Sequence, residues 1–514
     1  MLDMKNIKQL KWLTLLLTVC AVFYGCTDKL EENDGQLSAD DLDFTITDDM
    51  VLPLIGAYAE VYRRGWEDPI LVGVRGDDVN AGGVGDAQNG LTEADLYNYD
   101  NNYWMFNQVW SNFYGDIVDV VNAKETIERY KEFATGSDVA LADQYIAEAN
   151  VLSGYQHLQM SRMWEDIFII TTSSVSEDID NGLDTKAEVM QYVSDLMDES
   201  IPFLPDSRPN ERTDITGGVT KYTALAVKAM AQLELENYQA VADVCGEIIN
   251  SNKFMLYDDF YELFKKDGQL SNENLFEFQF SDYNSDSGDV NNHLFAPFGP
   301  PSWTPAVDGA SGGWGFYEPS LKYIKFMIDR GDETRLVTSV CFTPRGLDEL
   351  MLDPDYATLP NYVSTTTPDG DTFNDTPRFM FASGKHYWPS TDLTPGRNSY
   401  GSGKNFIVIR YAEILLMYAE ALTHGASGSG LTADQAVNLV RARVDMPPLS
   451  GVTTDMVMDE KFAELGMEWG IRYYDMIRLN RYDELSYDGR TFSADKEYLR
   501  YPQDQLDLLP LEDN

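Results

Sequence analysis

The sequence predicts a mostly α-helical protein, in which tetratricopeptide-like helical hairpins form a scaffold for a loop-rich, irregular region. Apolar residues recur at helical spacing over much of residues 41–265 and again after residue 405. One block, residues 222–254, divides into two helical halves, as a tetratricopeptide hairpin does. Residues 266–404 instead are rich in Gly, Pro, Ser, Asp and aromatic residues, which is typical of loops.

Three blocks carry the helical pattern in the first half of the chain. Residues 109–130 and 140–166 each place apolar side chains along one helical stripe. The block 222–254 turns at Glu236–Asn237, and small residues in its first half allow close contact between helices: Ala224, Ala226, Ala229 and Ala231. Because consecutive hairpins bury their faces against one another, these blocks predict a helical solenoid segment.

The irregular region is predicted to be ordered and functional. Regular helix is expected there only at residues 320–330. A loop region of this length is either functional or disordered, and disordered segments are poor in aromatic residues. This region contains Trp303, Trp314, Phe316, Tyr317 and Trp388.

Helix is predicted to return at residue 405 and to run through NFIVIRYAEILLMYAEAL. The next helix is capped at its start by Thr432, with Gln435 three residues on, and is stopped by Pro447. Residues 459–482 are predicted to form the last long helix.

The N-terminus has the three parts of an export signal, assigned to residues 1–25. Three lysines precede an almost uncharged apolar stretch at residues 12–24, and Gly25 is the small residue that a signal peptidase needs. The apolar stretch is too short to span a bilayer comfortably as a permanent helix, which takes about 20 residues.

Cys26 follows this signal directly, and FYGC resembles the lipobox of a bacterial lipoprotein. Phe23 and Tyr24 depart from its commonest form, and Cys20 is a competing site. We interpret Cys26 as a lipidated N-terminus that carries a lipid such as palmitate; the alternative is an ordinary buried or free cysteine. Residues 26–40 are then a flexible tether.

The other cysteines and the charge exclude several classes of protein. Cys245 lies in an apolar helical pattern and is expected to be buried, and with Cys341 it makes neither a disulfide framework nor a zinc site. The formal net charge is −47, which argues against nucleic acid and anionic lipid surfaces as partners. A local basic pocket could still override this global charge for an anionic ligand.

Several motifs in fixed order resemble the SusD/RagB family of outer-membrane nutrient-binding lipoproteins. The C-terminal stretches are VIRYAEILLMYAEAL, AVNLVRARVDMPPL, DEKFAELGMEWGIRYYDMIR and YPQDQLDLLP. Upstream, AEANVLSGYQHLQMSRMWEDI and GWGFYEPSLKYIKFMIDRGDETR also match. The departures are local: Lys461, Ala463 and Met467 soften the last helical motif, and Tyr473–Tyr474 replace its usual aromatic pair.

The resemblance implies a SusD-like fold and a specific role. Such proteins lie on the surface of Bacteroidetes-type outer membranes, where they cap a SusC-like TonB-dependent transporter and pass captured oligosaccharides, or in some members peptides, into it. They have no known catalytic apparatus. Helical parts at residues 41–265 and 405–514 would form the scaffold that faces the transporter, and residues 266–404 would build the ligand site.

Sugar rings present apolar faces edged by hydroxyls, so a glycan site needs aromatic platforms flanked by polar side chains. Trp303, Trp314 and Tyr317 lie in the segment that the family uses for binding. An aromatic residue among Gly and Pro has less reason to be buried than one in a helix. The alternative is that each of them anchors a loop onto the scaffold.

A second candidate cluster lies near the N-terminus, where the family often has its first binding loop. Polar groups in the Gly-rich GVRGDDVNAGG could donate or accept hydrogen bonds, and aromatic rings in NYDNNYW could stack. The candidates are Arg75, Asp77, Asp78, Asn80, Tyr103 and Trp104.

No cofactor is expected. Residues 282–289 begin like a calcium loop but lack its Gly and its bidentate Glu, and residues 368–375 fail earlier, so solvated acidic loops explain both better than bound calcium does. An enzyme is the main rival class, but the chain has no GxSxG elbow, no P-loop and no barrel pattern. We therefore predict a glycan-binding protein; the alternatives are a peptide-binding member and a transporter lid without its own ligand.

Overall fold

In the computed structural model, the described residues are 42–63, 68, 71, 73–83, 89–281, 295–310, 312–393, 402–509 and 511. The predicted signal, Cys26, the predicted tether and the acidic stretch 282–289 lie outside them. Within these ranges no helix is long and apolar enough to cross a membrane.

Helices make up most of the regular structure in the described ranges. In chain order the α-helices are α1 (Val51–Tyr62), α2 (Asn89–Asp95), α3 (Trp104–Lys131), α4 (Ser137–Trp164), α5 (Ser176–Asp180), α6 (Lys186–Ser200), α7 (Lys221–Glu234), α8 (Tyr238–Asn250), α9 (Phe260–Leu263), α10 (Phe295–Phe298), α11 (Leu321–Arg330), α12 (Glu333–Ser339), α13 (Pro344–Met351), α14 (Tyr411–Thr423), α15 (Ala433–Arg443), α16 (Thr454–Leu465), α17 (Ile471–Arg478), α18 (Tyr482–Leu485) and α19 (Gln503–Leu506). Short 3-10 turns lie at Thr47–Met50, Ile201–Phe203, Pro209–Glu211, Lys266–Gly268, Pro354–Tyr356 and Ala494–Lys496.

The strands are short and form antiparallel pairs rather than one sheet. They are β1 (Val79–Gly82), β2 (Asn274–Phe278), β3 (Trp303–Thr304), β4 (Phe316–Pro319), β5 (Val340–Phe342), β6 (Thr372–Phe373), β7 (Phe381–Ser383) and β8 (Phe406–Arg410). The pairs are β1 with β4, β2 with β8, β3 with β6 and β5 with β7.

The scaffold is a succession of packed helices, and the predicted hairpins are confirmed. α1 packs on α3, α3 on α4, α4 on α6, α6 on α7 and α7 on α8. The turn between α7 and α8 has Glu236 in the left-handed region, with φ 56°, directly before Asn237. α14 then packs on α8 and continues the stack towards α15 and α16.

The prediction of helix from residue 405 is wrong for its first residues. Phe406–Arg410 is the strand β8, paired with β2, and the helix begins only at Tyr411. The β-branched run Ile407–Ile409 favours a strand, and both faces of the pair are largely buried. The capped helix is confirmed, because Thr432 and Gln435 form a capping box, but it ends at Arg443, before Pro447.

The prediction of one helix over residues 459–482 is also wrong, because the helix is interrupted between α16 and α17. Met467 and Trp469 have positive φ values of 66° and 49°. A side chain at Gly466 would come within 2.4 Å of the Tyr323 ring, so this close approach needs glycine. Next to this break, Trp469 contacts the rings of Phe298 and His386 in the irregular region.

Residues 266–404 contain more regular structure than predicted. The predicted helix at 320–330 is confirmed as α11, with Ser320 as N-cap and Gly331, φ 67°, as C-cap. The helices α10, α12 and α13 and the short strands of this region were not predicted, because their apolar runs are too short to show a period.

One continuous hydrophobic cluster joins residues of all three predicted segments, from Met50 to Tyr501. A buried ion-pair network centred on α16 joins the irregular region to the C-terminal segment. Glu464 accepts hydrogen bonds from Arg410 Nη1 at 2.5 Å and Arg335 Nη1 at 3.1 Å, and also from Arg443. Burial opposes its charge, but these guanidinium groups outweigh burial and lower the pKa of Glu464.

Candidate functional site

Two of the predicted aromatic residues lie on one closed loop, residues 299–315, which we call the aromatic loop. Its base is closed by Gly313 N–H donating to Pro300 O at 2.9 Å and Gly315 N–H donating to Gly299 O at 3.1 Å. Except for residue 311, the loop lies within the described ranges. Such closure gives the side chains of a surface loop a defined position.

Trp303 is partly exposed, and other aromatic residues pack against it. It pairs with Phe373 across β3 and β6, and its ring meets Tyr387 edge to face at 6.2 Å. It also packs on a small cluster that contains Trp388 and Leu393. Its indole Nε1 makes no hydrogen bond with any described residue.

Trp314, at the other end of the loop, is also partly exposed. Its ring lies edge to face against Phe316 at 6.0 Å, and its carbonyl accepts a hydrogen bond from Arg378 Nε at 3.1 Å. Trp303 and Trp314 therefore each combine some exposed surface with a rigid support, as a stacking platform requires.

The aromatic loop is held in place by the buried carboxylate of Asp371. Its Oδ1 accepts from Ala306 N–H at 2.7 Å and from Ser390 Oγ at 2.5 Å, and its Oδ2 accepts from Ser390 N–H at 2.9 Å. The Tyr387 hydroxyl donates to the same carboxylate. One fully buried side chain thus fastens the aromatic loop to the segment that carries Trp388.

The expectation that Tyr317 is an exposed platform is wrong. Its side chain is fully buried, its hydroxyl donates to Met467 O at 3.0 Å, and a Cβ on Gly73 would lie 2.2 Å from its oxygen. Its backbone has φ 64°, which is unusual for a bulky residue. Tyr317 therefore anchors the end of the aromatic loop to the scaffold and offers no open face to a ligand.

The expectation of accessible polar groups at Arg75, Asp77 and Asp78 is also wrong, because all three are buried. Arg75 lies over the Tyr473 ring, with its guanidinium carbon 4.3 Å from the centroid. This contact ties the Gly-rich segment to α17.

The two aspartates bind partners far along the chain. Asp77 accepts from Arg472 Nε and Lys322 Nζ, both at 2.6 Å; burial opposes its charge, but these cations lower its pKa. Asp78 accepts the Met467 N–H at 2.5 Å, and burial raises its pKa to about 6. Buried charges need such partners, so these side chains join the N- and C-terminal parts of the fold.

Asn80 and Tyr103 are partly exposed, whereas Trp104 is about half exposed, at 51%. Asn80 Oδ1 accepts from Arg490 Nη2 at 2.6 Å and from Tyr487 at 3.2 Å. Tyr103 meets Phe106 edge to face at 6.0 Å, and Trp104 is the first residue of α3.

The structure brings the Gly-rich segment next to the aromatic loop. β1 pairs with β4 in the register Gly82 with Phe316, and Gly83 N–H donates to Gly315 O at 2.9 Å. Asn80 lies on this strand. The two clusters predicted separately from the sequence therefore meet along the backbone, whereas no described contact brings Trp104 to the aromatic loop.

A cavity that the sequence analysis missed lies beside the aromatic loop. We call it the lysine cavity; about 630 Å³ of space, open solvent at its mouth included, is lined by Lys265, Lys385, Lys404 and His386 and by aromatic rings. Phe406 and Trp469 are stacked on its wall, with centroids 3.5 Å apart and planes at 18°. Trp388 belongs both to this cavity and to the cluster under Trp303.

No local signal in the sequence indicated this cavity. Its lysines are dispersed over three segments of the chain, and Trp469 reaches it only because the helix breaks after Leu465. Burial lowers the pKa of Lys265 and of Lys385 to about 8. It also lowers the pKa of Lys404 and of His386.

Among the described residues no group of three or more His, Cys, Asp or Glu side chains could hold a metal ion. Cys245 and Cys341 are both buried and unpaired with each other, as expected for Cys245.

Comparisons with known proteins agree on one family. Residues 272–505 match the model of the SusD family. A SusD-like protein P2 of Formosa agariphila is 25% identical over 96% of both chains, and a SusD-like protein of Bacteroides ovatus is 22% identical over 91% of this chain and 82% of its own.

Solved structures share the fold. A laminarin-binding SusD-like protein has a TM-score of 0.74 at 21% identity, covering 91% of this chain and 98% of its own. Surface glycan-binding protein A from Bacteroides thetaiotaomicron, in complex with laminarihexaose, has a TM-score of 0.73 at 21% identity, covering 91% and 99%. Members of this family are binding proteins and not enzymes. Residues 272–505 thus carry the sequence pattern of the SusD family, and the chain as a whole is similar in sequence and in fold to SusD-like proteins.

Proposed function

We propose that this protein is a lipid-anchored cell-surface protein that binds an oligosaccharide or polysaccharide and delivers it to a SusC-like TonB-dependent transporter of the outer membrane. Trp303 and Trp314 carry the ligand part of this proposal. Both are partly exposed on a loop whose position is fixed by Asp371 and by the pairing of β3 with β6.

The physical argument rests on preorganisation. An aromatic ring that is already held by edge-to-face neighbours loses little conformational entropy when a sugar ring stacks on it. Asn80 and Arg378 lie beside the same loop and can bond hydroxyls at the edge of the sugar. A laminarin-binding SusD-like protein and a surface glycan-binding protein in complex with laminarihexaose have the same fold. Both support a glycan as the ligand class.

The anchor and the transporter belong to the same proposal. Cys26 would carry the lipid, and residues 26–40 would hold the fold above the membrane, within reach of a transporter. We propose no resident cofactor and no nucleic acid partner.

Affinity electrophoresis of the full-length chain in a non-ionic detergent tests the ligand class. The gels contain laminarin, xylan, yeast mannan, polygalacturonate or κ-carrageenan. Retardation in at least one gel supports glycan binding and identifies the glycan class. Migration unchanged in every gel would contradict it and would favour a peptide ligand or a transporter lid.

The paired variant Trp303→Ala/Trp314→Ala shows whether the aromatic loop is the site. We expect loss of retardation, because two stacking interactions worth about 1 kcal/mol each are removed. The matched control is Phe133→Ala, which removes an aromatic ring that is 51% exposed after the end of α3. An equal loss of retardation in both variants, or no loss in the paired variant, would indicate that the binding site lies elsewhere.

A further inference from the structure

The most exposed tryptophan in the described ranges lies outside the aromatic loop. Trp104, the first residue of α3, is 51% exposed, whereas Trp303 and Trp314 are only partly exposed. The apolar residues that follow it on α3 are buried in the core: Met105, Phe106, Val109 and Trp110. Trp104 therefore keeps an open aromatic surface that the core does not use.

Amide side chains share the outer face of α3 with Trp104. Residues three and four positions apart are neighbours on a helix surface, which places the partly exposed Asn107 and the exposed Gln108 beside Trp104. A third amide comes from α19, which packs on α3: Gln505 Nε2 donates to Asn107 Oδ1 at 2.8 Å. We call Trp104, Asn107, Gln108 and Gln505 the amide surface.

Hydrogen bonds hold these amides in place. Gln503 N–H donates to Asn101 O at 2.9 Å, and Asn101 Nδ2 donates to Gln503 Oε1 at 3.3 Å, which fixes α19 to the start of α3. Within α3, Gln108 Nε2 donates to Asn112 Oδ1 at 2.6 Å. The amide surface is therefore ordered before a ligand arrives, which reduces the conformational entropy that binding costs.

Each amide of this surface keeps hydrogen-bonding capacity for a ligand. An amide side chain has two N–H donors and two acceptor lone pairs on its oxygen. Among the described residues, no partner bonds Asn107 Nδ2, Gln108 Oε1 or Gln505 Oε1. Sugar hydroxyls also donate and accept, so these groups match the edge of a sugar whose apolar face stacks on Trp104.

Among the described residues, the charged groups that hydrogen bond in this region are carboxylates. Asp100 accepts two hydrogen bonds from Asn102, at 2.8 and 2.9 Å, and Asp507 accepts Gln503 Nε2 at 2.8 Å. Two more carboxylates act on residues next to this surface, Asp68 and Glu93. Such a rim repels anionic groups, so the ligand that fits is an uncharged stretch of glycan.

We propose that the amide surface is a second, weaker glycan-binding site, which takes an uncharged stretch of the polysaccharide that the aromatic loop binds. This inference rests on the proposed glycan function. One stacked ring and three amides give too little affinity to hold a glycan alone. Once the aromatic loop holds a polysaccharide, other parts of the polymer are at high local concentration, and the second site then slows its release.

A polysaccharide and a trisaccharide of the same glycan distinguish the two sites, with the full-length chain in a non-ionic detergent. The polysaccharide is the one among laminarin, xylan and yeast mannan that retards the native chain most. Affinity electrophoresis at several polysaccharide concentrations gives the Kd of the polymer, and calorimetry gives that of the trisaccharide. The polymer engages both sites, whereas the trisaccharide fills the aromatic loop alone.

Variants locate the effect. Trp104→Ala should raise the Kd of the polysaccharide about fivefold, as the loss of one stacking contact implies, and leave that of the trisaccharide unchanged. Gln108→Ala should raise the Kd of the polysaccharide about threefold, from one lost hydrogen bond. Because Gln108 is exposed, this variant remains informative if Trp104→Ala does not fold.

Phe133→Ala is the matched control. Phe133 is also 51% exposed and lies just beyond the other end of α3, next to the charged Glu132. Its removal should leave both Kd values as in the native protein. A rise in the Kd of the polysaccharide alone, in Trp104→Ala and Gln108→Ala but not in Phe133→Ala, supports the second site.

The other outcomes separate this inference from the proposed function. An unchanged Kd of the polysaccharide in Trp104→Ala overturns the second site while glycan binding stands, and would favour a protein contact at this surface. Weaker binding of the trisaccharide in Trp104→Ala also overturns it, because Trp104 would then belong to the first site. Binding confined to polygalacturonate or κ-carrageenan contradicts the uncharged ligand. No binding to any polysaccharide overturns the glycan function and this inference with it.

Discussion

Asp371 accepts hydrogen bonds from segments that are not neighbours in the sequence, and this makes it a positioning residue of the aromatic loop. Asp371→Asn replaces one carboxylate oxygen by an amide nitrogen. This nitrogen is itself a donor, so it cannot accept the hydrogen bonds that the oxygen accepted. We expect a loss of about 1–3 kcal/mol in the free energy of unfolding, from donors left unpaired. Glycan affinity should fall about tenfold, because the loop must be ordered on binding.

Thermal unfolding and affinity electrophoresis measure these two effects separately. The matched control is Asp375→Asn, since among the residues that the structure describes Asp375 accepts one hydrogen bond, from the exposed Arg345 N–H. An Asp371 variant that is destabilised yet binds glycan with normal affinity would contradict the proposed role of Asp371 in positioning the loop.

The cysteine assignment gives a second prediction about single residues. Cys26→Ser should abolish incorporation of radiolabelled palmitate in the native host, because the lipid is attached through the thiol. Cys20→Ser should leave incorporation unchanged, because the signal that contains it is removed. The reverse pattern would make Cys20 the anchor.

Single residues also show where prediction from sequence ends. The residue types at Asp77 and Asp78 and their Gly-rich setting suggested accessible hydrogen-bonding groups. In the fold, Asp77 instead binds Arg472 and Lys322, both far along the chain. Only the folded topology brings them together. Trp303 and Trp314, by contrast, lie among Gly and Pro where no helix can bury them, and both are partly exposed as predicted.

Among the elements, α16 carries three buried charged residues, Glu460, Lys461 and Glu464. Glu460 and Glu464 lie one turn apart and bind Arg335 between them. Glu464→Gln should lower the free energy of unfolding by about 3–5 kcal/mol, because it leaves guanidinium groups buried without their partner. Chemical denaturation measures this change.

The same helix offers a matched control. Asp455 pairs with Arg481 at 3.3 Å, but its side chain is 82% exposed. Asp455→Asn should change the free energy of unfolding by less than about 0.5 kcal/mol, as exposed ion pairs contribute little. Similar changes in the free energy of unfolding for the two variants would show that the buried ion-pair network does not stabilise the helix.

Elements were predictable where local signals agree. α11 has a helical stripe, a serine N-cap and a glycine C-cap, and its bounds follow from these. The apolar pattern of residues 405–410 continues into the helix α14, so periodicity does not indicate a strand there. These residues form the strand β8 because they pair with β2, and the sequence pattern does not reveal that pairing. The break after α16 depends likewise on the distant ring of Tyr323.

As the pH rises from about 4 through 7, the whole molecule should lose the stabilising contribution of four buried carboxyl groups. Burial raises the pKa of several carboxyl groups to about 7, namely Asp95, Glu277, Glu318 and Glu413. Between their unfolded and folded pKa values the folded chain keeps protons that the unfolded chain releases. Their contribution to stability is therefore complete below pH 4 and is lost as the pH rises through 7.

Glu318→Gln tests the direction of this pH dependence. Its Oε1 accepts Met380 N–H at 2.6 Å and Phe381 N–H at 3.0 Å, and an amide oxygen can accept both. The melting temperature of the variant should match that of the native protein near pH 5 and exceed it at pH 8. The exposed Glu132→Gln should follow the native curve, and a Glu318 variant that did the same would contradict the assignment.

At the scale of the molecule, the sequence supported the helical scaffold, the ordered loop region and the family. The lysine cavity could not be predicted, because its wall is built from segments that lie near one another only in three dimensions. Hydrophobic periodicity reports what one element buries and carries no information on which distant charges share a cavity.

The burial of Cys245 and Cys341 has a practical consequence. Burial raises the pKa of both thiols, that of Cys341 to about 12, so neither reacts readily with maleimides in the folded chain. With Cys20 and Cys26 replaced by serine, a cysteine introduced at Val307, which is 47% exposed on the aromatic loop, becomes the one reactive thiol of the described fold. A fluorophore attached there would report ligand arrival as a change in emission, without any gel.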